Sequence, residues 1–589
     1  MIKKPLHSFH IPVMGLAYTI DSPIRVAQFG ISSVISIIDD EITEKMRNFY
    51  SQKFNLDYSA ITIKAEDYRS KRITAYLNMV DHIVEEKFRA FKDDLIHKKE
   101  VLKDFVDMLP NTSGIKKNLQ TFLNQKNIYS TLKNFVDTHL SPGSIDVNIM
   151  TKVDKDNFKK NEQLPLIYND AHASLRGFAK SKLSASMVLS AGMNPRLYSY
   201  IEQFEDFYPD TNNQIRKKII LKVSDFRSAM IQGNFLAKKG LWVSEYRIES
   251  GLNCGGHAFA TDGLLLGPIL EEFKQRKDEL TETAHSLMIN ALQTKSRHFP
   301  STPLETKITV QGGVGTADEH QFLLSNYSVD SVGWGSPFLL VPEATSVDHE
   351  TRKLLANAKE DDFYLSNLSP LGVLFNTVKG TTNDYVRQSK AIKNKYGSSC
   401  PKKLLALSKE YSPEGICTAS RKYQTLKLEE LEKQKSEMNS EQIANRKKKI
   451  TEKACLCVGL VNAAYIENDI EMKGENQGVV VCPGPNLAYF DKEISLSKMI
   501  QHIYGNTNVL RDSYRPNMFI NELKMYVDFL KKGMQESFSE NEKKWNTFRK
   551  NLLEGIDYYQ NLFKNTSFFQ KEIKDIEQEL QKYKLLLVQ

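Results

Sequence analysis

The residues best suited to chemistry lie in Gly251-Leu252-Asn253-Cys254-Gly255-Gly256-His257. An imidazole with an ordinary pKa of ~6.5 can move protons near neutral pH. Two adjacent glycines let a flat ligand approach the backbone, because no Cβ stands in the way. The stretch follows a strand-like run, Leu241–Ile248, so His257 is expected just past a strand end. Taken alone, these residues read equally as a plain turn. Thiols form a second group: Cys417, the pair Cys455 and Cys457, and Cys482, with Cys400 also preceding a proline. Soft thiolates gathered in one place bind iron–sulfur clusters or zinc. Cys417, Cys455, Cys457 and Cys482 are the four candidate ligands. Their spacings match no standard finger or ferredoxin pattern, so a [4Fe–4S] cluster, zinc and unliganded cysteines all stay open.

Two later stretches pair glycines with strand ends. Ile308-Thr309-Val310-Gln311-Gly312-Gly313-Val314-Gly315-Thr316 is one. Val329-Asp330-Ser331-Val332-Gly333-Trp334-Gly335-Ser336-Pro337-Phe338 is the other. Glycine loops after the last two strands are how a βα barrel cradles a phosphate with backbone N–H groups. The three motifs, in this order, resemble the flavin-dependent nitronate monooxygenase family, which includes flavin-type enoyl-thioester reductases. The resemblance spans roughly residues 8–345, with one large insertion. It implies an FMN oxidoreductase with phosphate on Gly312-Gly313 and Gly335-Ser336 and the ring across the barrel mouth. His257 would then be the general acid or base, beside Gly255 and Gly256.

The resemblance also implies flavin contacts from Met14 and Gly15, at a Pro-Met strand end, and from Asn148. Val314, Gly333 and Trp334 belong to the same implied set. A buried methionine filling the barrel is the alternative for Met14. Lys222, near a strand end, could stabilise negative charge on a reduced flavin; the family usually lacks such a lysine, and a surface lysine is the alternative. Gln311 reaches the ring or caps a turn. The chain also departs from the family. Leu252-Asn253-Cys254 stands where the family has Ala-Glu-Ala, so an acid is lost and a reactive thiol gained. Cys254 therefore joins His257 and Lys222 as a candidate catalytic residue, and nitronate oxidation itself is in doubt. A reductase or oxidase acting on a conjugated or acidic C–H substrate, with electrons delivered through an Fe–S cluster, accommodates the additions better.

These groups need a scaffold, and the chain supplies one. Strands are expected at Ile11–Gly15, Ser32–Ile38, Ser144–Met150, Ser186–Gly192, Lys218–Ser224, Leu241–Ile248 and within the two glycine stretches. Eight strands with helices between most of them make an α/β fold, a (βα)8 TIM barrel. Helical spacing in Val80, Ile83, Val84, Phe88 and Phe91 marks a helical insertion after the second strand. The expected division is a barrel over 1–345, a helical insertion (lid or cap, or an added packing layer) over 41–140, a Cys-rich region over 346–500 and a helical region over 501–589. Trp545, Phe548, Leu552, Ile556, Tyr559 and Leu562 form an amphipathic stripe in the last.

Composition narrows the class. The charge balance of 80 basic against 72 acidic residues gives +8, with lysines spread through helices, as on an ordinary solvated surface. No run approaches the ~20 apolar residues of a membrane span, and no signal-peptide core is expected. Six cysteines in 589 residues argue against a disulfide scaffold, so a reducing cytoplasm is expected. Expected partners are a small-molecule, acyl-carrier-bound or RNA substrate and an electron-donor protein. The rival readings are a flavin-dependent RNA-modifying reductase and a non-catalytic RNA-binding protein on a relic barrel.

Overall fold

A computed structural model describes residues 5–125, 129–190, 192–253, 262–472 and 478–588, apart from the side chains of 536–540. Eight strands close into a barrel: β1 (Phe9–Ile11), β2 (Ser32–Ser36), β3 (Ile145–Met150), β4 (Ala185–Ser190), β5 (Lys217–Val223), β6 (Val243–Glu249), β7 (Lys307–Gln311) and β8 (Ser331–Gly333). Each pairs in parallel with its sequence neighbours, and β8 returns to β1 through Phe9 opposite Val332. This is the α/β barrel expected. The first strand sits earlier than expected. Pro12 has no N–H to donate, so the ladder stops at Ile11 and the following residues turn.

The wall alternates. Tyr246 on β6 faces outward, its hydroxyl against Gly233 of α9 (Phe226–Ala237). Glu245, Arg247 and Glu249 take the other face and point into the lumen. Arg247 pairs with Glu245 at 2.7 Å, and Thr309 donates to the same carboxylate. His10 on β1 and Asp146 on β3 both feel the Arg247 charge, which places all of them inside the barrel. Burial drives His10 well below its ordinary pKa and Asp146 upward. Val34, Val188 and Ile220, with Val13, form a small apolar plug beside these charges.

The insertion folds as helices α2 (Asp40–Lys53), α3 (Tyr68–His97), α4 (Lys99–Met108), α5 (Gly114–Leu123) and α6 (Tyr129–His139). α3 packs on α1 (Ser22–Val26) and α7 (Asp170–Ala179), the barrel's outer helices. Ile73, Tyr76, Leu77 and Val80 join the main core. Farther along, Phe91, Leu95, Leu102, Phe105, Leu119, Leu132 and Val136 build a second small core. The insertion thus adds a layer to the flank. C-terminal residues overlie the mouth. The last long helix, α18 (Met518–Lys564), buries Trp545, Phe548, Leu552, Ile556 and Tyr559, the expected stripe. Fully burying such side chains stabilises by ~1.5–3 kcal/mol each. Among the described residues, no helix is long and apolar enough to cross a membrane.

Candidate active site at the barrel mouth

Three strand ends bring polar side chains together at the C-terminal mouth. Lys222, next to last on β5, places Nζ 2.7 Å from Glu249 Oε1 at the end of β6. Gln311, last on β7, donates Nε2 to Glu249 Oε1 at 2.9 Å and to Asn253 Oδ1 at 3.0 Å. Asn253 donates its own amide to Glu249. A carboxylate only accepts, so the Gln311 NH2 must face Glu249. Its oxygen is thereby turned away, and Gln311 Oε1 is buried with no hydrogen-bond partner among the described residues. Asn148 Oδ1 on β3 is in the same state. An unsatisfied buried acceptor costs about 1–3 kcal/mol. Two at one mouth are what a ligand bearing N–H groups would satisfy.

Sequence reading selected Lys222, Gln311 and Asn148, and the structure brings the first two to one carboxylate. Glu249 was missed, although the alternation of Glu245, Arg247 and Glu249 along one strand is a signal that charges line the lumen. His257, Cys254, Gly255 and Gly256 lie outside the described residues.

The glycine loops present a different picture. Helix α11 (Ala317–Asn326) follows β7, and its capping residue Glu319 accepts the N–H groups of Gly315 (2.8 Å) and Thr316 (3.2 Å). Arg515 grips Glu319 with both terminal nitrogens, at 2.7 and 2.9 Å, and donates to the Gly313 carbonyl. Asn486 donates to the Val314 carbonyl at 2.8 Å. The Gly484 N–H donates to Ser336 Oγ at 2.8 Å. A Cβ on Gly313 would lie 2.7 Å from Leu252 Cδ1, and one on Gly315 2.7 Å from Arg515 Nη2. The space these glycines open is filled by the chain itself.

Other implied contacts also turn out differently. Trp334 is fully buried away from the lumen, donating Nε1 to His320 at 3.2 Å and meeting His502 edge-on. It is a core residue. Gly333 is needed because a Cβ there would strike Gln311 and His10 in the wall. Met14 is buried, and Gly15, at φ +56°, lies against the Tyr18 ring. Gly335, next to Ser336, accepts a backbone hydrogen bond from Phe338. The expected metal set is also rearranged. Cys400 stands with Cys417, Cys455 and Cys457, while Cys482 rides the segment that runs onto Ser336 through Gly484. Among the described residues no group of three or more His, Cys, Asp or Glu side chains could hold a metal ion, so the expected set of Cys417, Cys455, Cys457 and Cys482 has no support.

For FMN, the fit is therefore divided. The ring-side groups Asn148, Lys222 and Gln311 offer two acceptors and a cation, the set a flavin edge needs. The phosphate loops, as they stand, offer no open cradle.

No family model and no curated protein matches this chain. Among solved structures, it is similar to the enoyl reductase domain of MlnA, from the macrolactin biosynthesis cluster of Bacillus amyloliquefaciens, at 18% identity and a TM-score of 0.31, covering 76% of this chain and 90% of that one. It is also similar to nitroalkane oxidase from Streptomyces ansochromogenes, at 8% identity and a TM-score of 0.34, covering 85% of this chain and 94% of that one.

Proposed function

We propose that this chain is an FMN-dependent oxidoreductase with the flavin ring beside Asn148, Lys222 and Gln311. One observation carries the reading. Two buried acceptors, Asn148 Oδ1 and Gln311 Oε1, lack partners among the described residues at the C-terminal end of a closed βα barrel, the face where such barrels hold their chemistry. An amide oxygen accepts from a ring N–H, and an ammonium binds a ring carbonyl. The order of the glycine and histidine motifs supports the same cofactor.

When bound, the flavin supplies two-electron chemistry, and the protein supplies position and electrostatics. Glu249 does the positioning: it holds Lys222, Gln311 and Asn253 together. Lys222 brings a positive charge to the mouth, and Gln311 presents its oxygen in a fixed direction. His257, four residues past Asn253 in sequence, is the proposed general acid or base, with Cys254 near it in the chain. A conjugated or acidic C–H compound, free or carried on a protein, is the substrate class that such groups serve.

The test is an absorbance spectrum of the purified protein and the identity of the heat-released flavin. FMN supports the reading; colourless protein that fails to take up FMN, or released FAD, overturns it. His257→Ala should keep the flavin and lose ~10²–10⁴-fold in turnover. Near-normal turnover in that variant would remove His257 from the chemistry.

A further inference from the structure

A cavity of about 210 Å³ lies in the region that follows the barrel, walled by three stretches of chain. The first is the helix Thr382–Ile392, begun by a capping box between Thr381 and Asp384. The second runs through Gly397 and Ser398. A short parallel bridge holds it: the Ser398 N–H donates to the Ala419 carbonyl at 3.0 Å, and the Arg421 N–H to the Ser398 carbonyl at 2.8 Å. The third is the stretch 451–455 that leads into the helix Leu456–Glu467. Side chains of the first helix span the other two. Arg387 donates Nη1 to the Glu452 carbonyl at 2.6 Å and Nη2 to Asp384 Oδ1 at 2.8 Å. Lys390 donates to the Gly397 carbonyl at 3.3 Å.

Those contacts fix the walls and leave polar atoms over. Arg387 Nε, Glu452 Oε1 and Asn383 Oδ1 are buried and have no hydrogen-bond partner among the described residues, and Asn383 is only 4% exposed. Buried polar groups are nearly always paired, and a charged one left unpaired is the costliest. Three such atoms on residues that wall one cavity mark a place for a ligand. Their chemistry narrows its class. Glu452 and Asn383 accept, so they call for N–H groups; Arg387 Nε donates, so it calls for an oxygen. Lys453, in the same wall, adds an ammonium that burial pulls below its ordinary pKa, and an anion beside it is favoured. An inorganic anion would meet the Glu452 charge and leave both acceptors unpaired. A simple amine would leave Arg387 and Lys453 unpaired. A zwitterion satisfies all four. Val386, Ala391 and Ala454 give the rest of the wall an apolar face. Apolar lining with a few convergent polar groups is the usual make-up of a small-molecule site.

We propose that this cavity binds a free α-amino acid with a short apolar side chain. The ligand's ammonium meets Glu452 and Asn383, its carboxylate meets Arg387 and Lys453, and its side chain lies against Val386, Ala391 and Ala454. The site goes beyond the flavin reading and does not depend on it.

The experiment titrates the full chain calorimetrically with L-valine, L-leucine and L-methionine. At least one should bind with a Kd below about 1 mM. Three further probes should each bind at least about tenfold more weakly than the best amino acid: 3-methylbutylamine, which lacks the carboxylate; 4-methylpentanoate, which lacks the ammonium; and inorganic phosphate. Glu452→Gln and Asn383→Leu should each weaken the amino acid about tenfold or more. Because a variant could fail by misfolding, hydrogen exchange of the wild type is followed as well, and the amino acid should slow exchange over 383–392 and 451–455. No amino acid binding below that Kd overturns the site. So does a control probe binding as tightly, protection confined to other segments, or full affinity in either folded variant.

Discussion

The two halves of the barrel mouth are made alike, each from strand ends running into loops, yet they end in opposite states. At the strand ends of β5–β7, side chains crowd around Glu249, and Gln311 Oε1, like Asn148 Oδ1 on β3, has no partner among the described residues. On the β7–β8 loop side, Glu319 takes the Gly315 and Thr316 N–H groups that a phosphate would use, while Arg515, Asn486 and Gly484 tie down Gly313, Val314 and Ser336. The contrast shows what a glycine motif says. It says that something approaches the backbone closely. Here that something is the chain's own C-terminal region.

The comparison breaks first at Arg515. Glu319 is almost wholly buried with it, at 2% side-chain exposure. Arg515→Ala should cost about 3–5 kcal/mol, since it strands a buried charge. Urea unfolding measures this; a loss below about 1 kcal/mol would show that the pair does not hold the closed half together.

Gly484→Ala sharpens the contrast. The added Cβ would sit 2.3 Å from the Leu252 carbonyl oxygen and 3.1 Å from Ser336 Oγ. Overpacking of this kind costs ~1–3 kcal/mol. The segment should lift from the loop, and the apoprotein should take up FMN faster, as followed by flavin fluorescence. Unchanged uptake would mean that the cover is no barrier.

Glu522, on α18, holds the chain just after β6. It accepts from Ser250 (2.7 Å) and Leu266 (2.8 Å) on either side of the 254–261 stretch. Burial raises its pKa to about 6 from the ordinary 4.5. The folded protein then binds the extra proton, so this contribution is fully present below pH 4.5 and lost as pH rises through 6. The loss is about 2 kcal/mol. Wild type measured against Glu522→Gln across that window should show the slope only in wild type; parallel curves would refute it.

Lys222→Met should have the smallest effect on stability, about 1 kcal/mol, because Glu249 keeps its amide donors. FMN affinity should still fall roughly 10- to 150-fold with the loss of a charged hydrogen bond of ~1.5–3 kcal/mol. Equal affinity would move the ring away from Lys222.

Much of the scaffold was legible in the sequence by itself. Strand runs such as Lys217–Val223, the helical insertion and the Trp545–Tyr559 stripe are local patterns, and local periodicity survives whatever packs on it. Lys222 and Gln311 were found because strand ends of a barrel face one mouth, and Asn148 because the family resemblance implied it. Trp334 was assigned to the ligand and proved to be core, since a single residue shift at a strand end reverses the face a side chain takes. The partners of the glycine loops were beyond reach. Ser336 meets Gly484, Glu319 meets Arg515 and Ser250 meets Glu522 across 148, 196 and 272 residues of chain. Cys400 likewise comes beside Cys417 through a bridge from Ser398 to Ser420 that no spacing records. Periodicity decides which face of an element is buried. Only the folded chain decides which distant segment arrives to bury it.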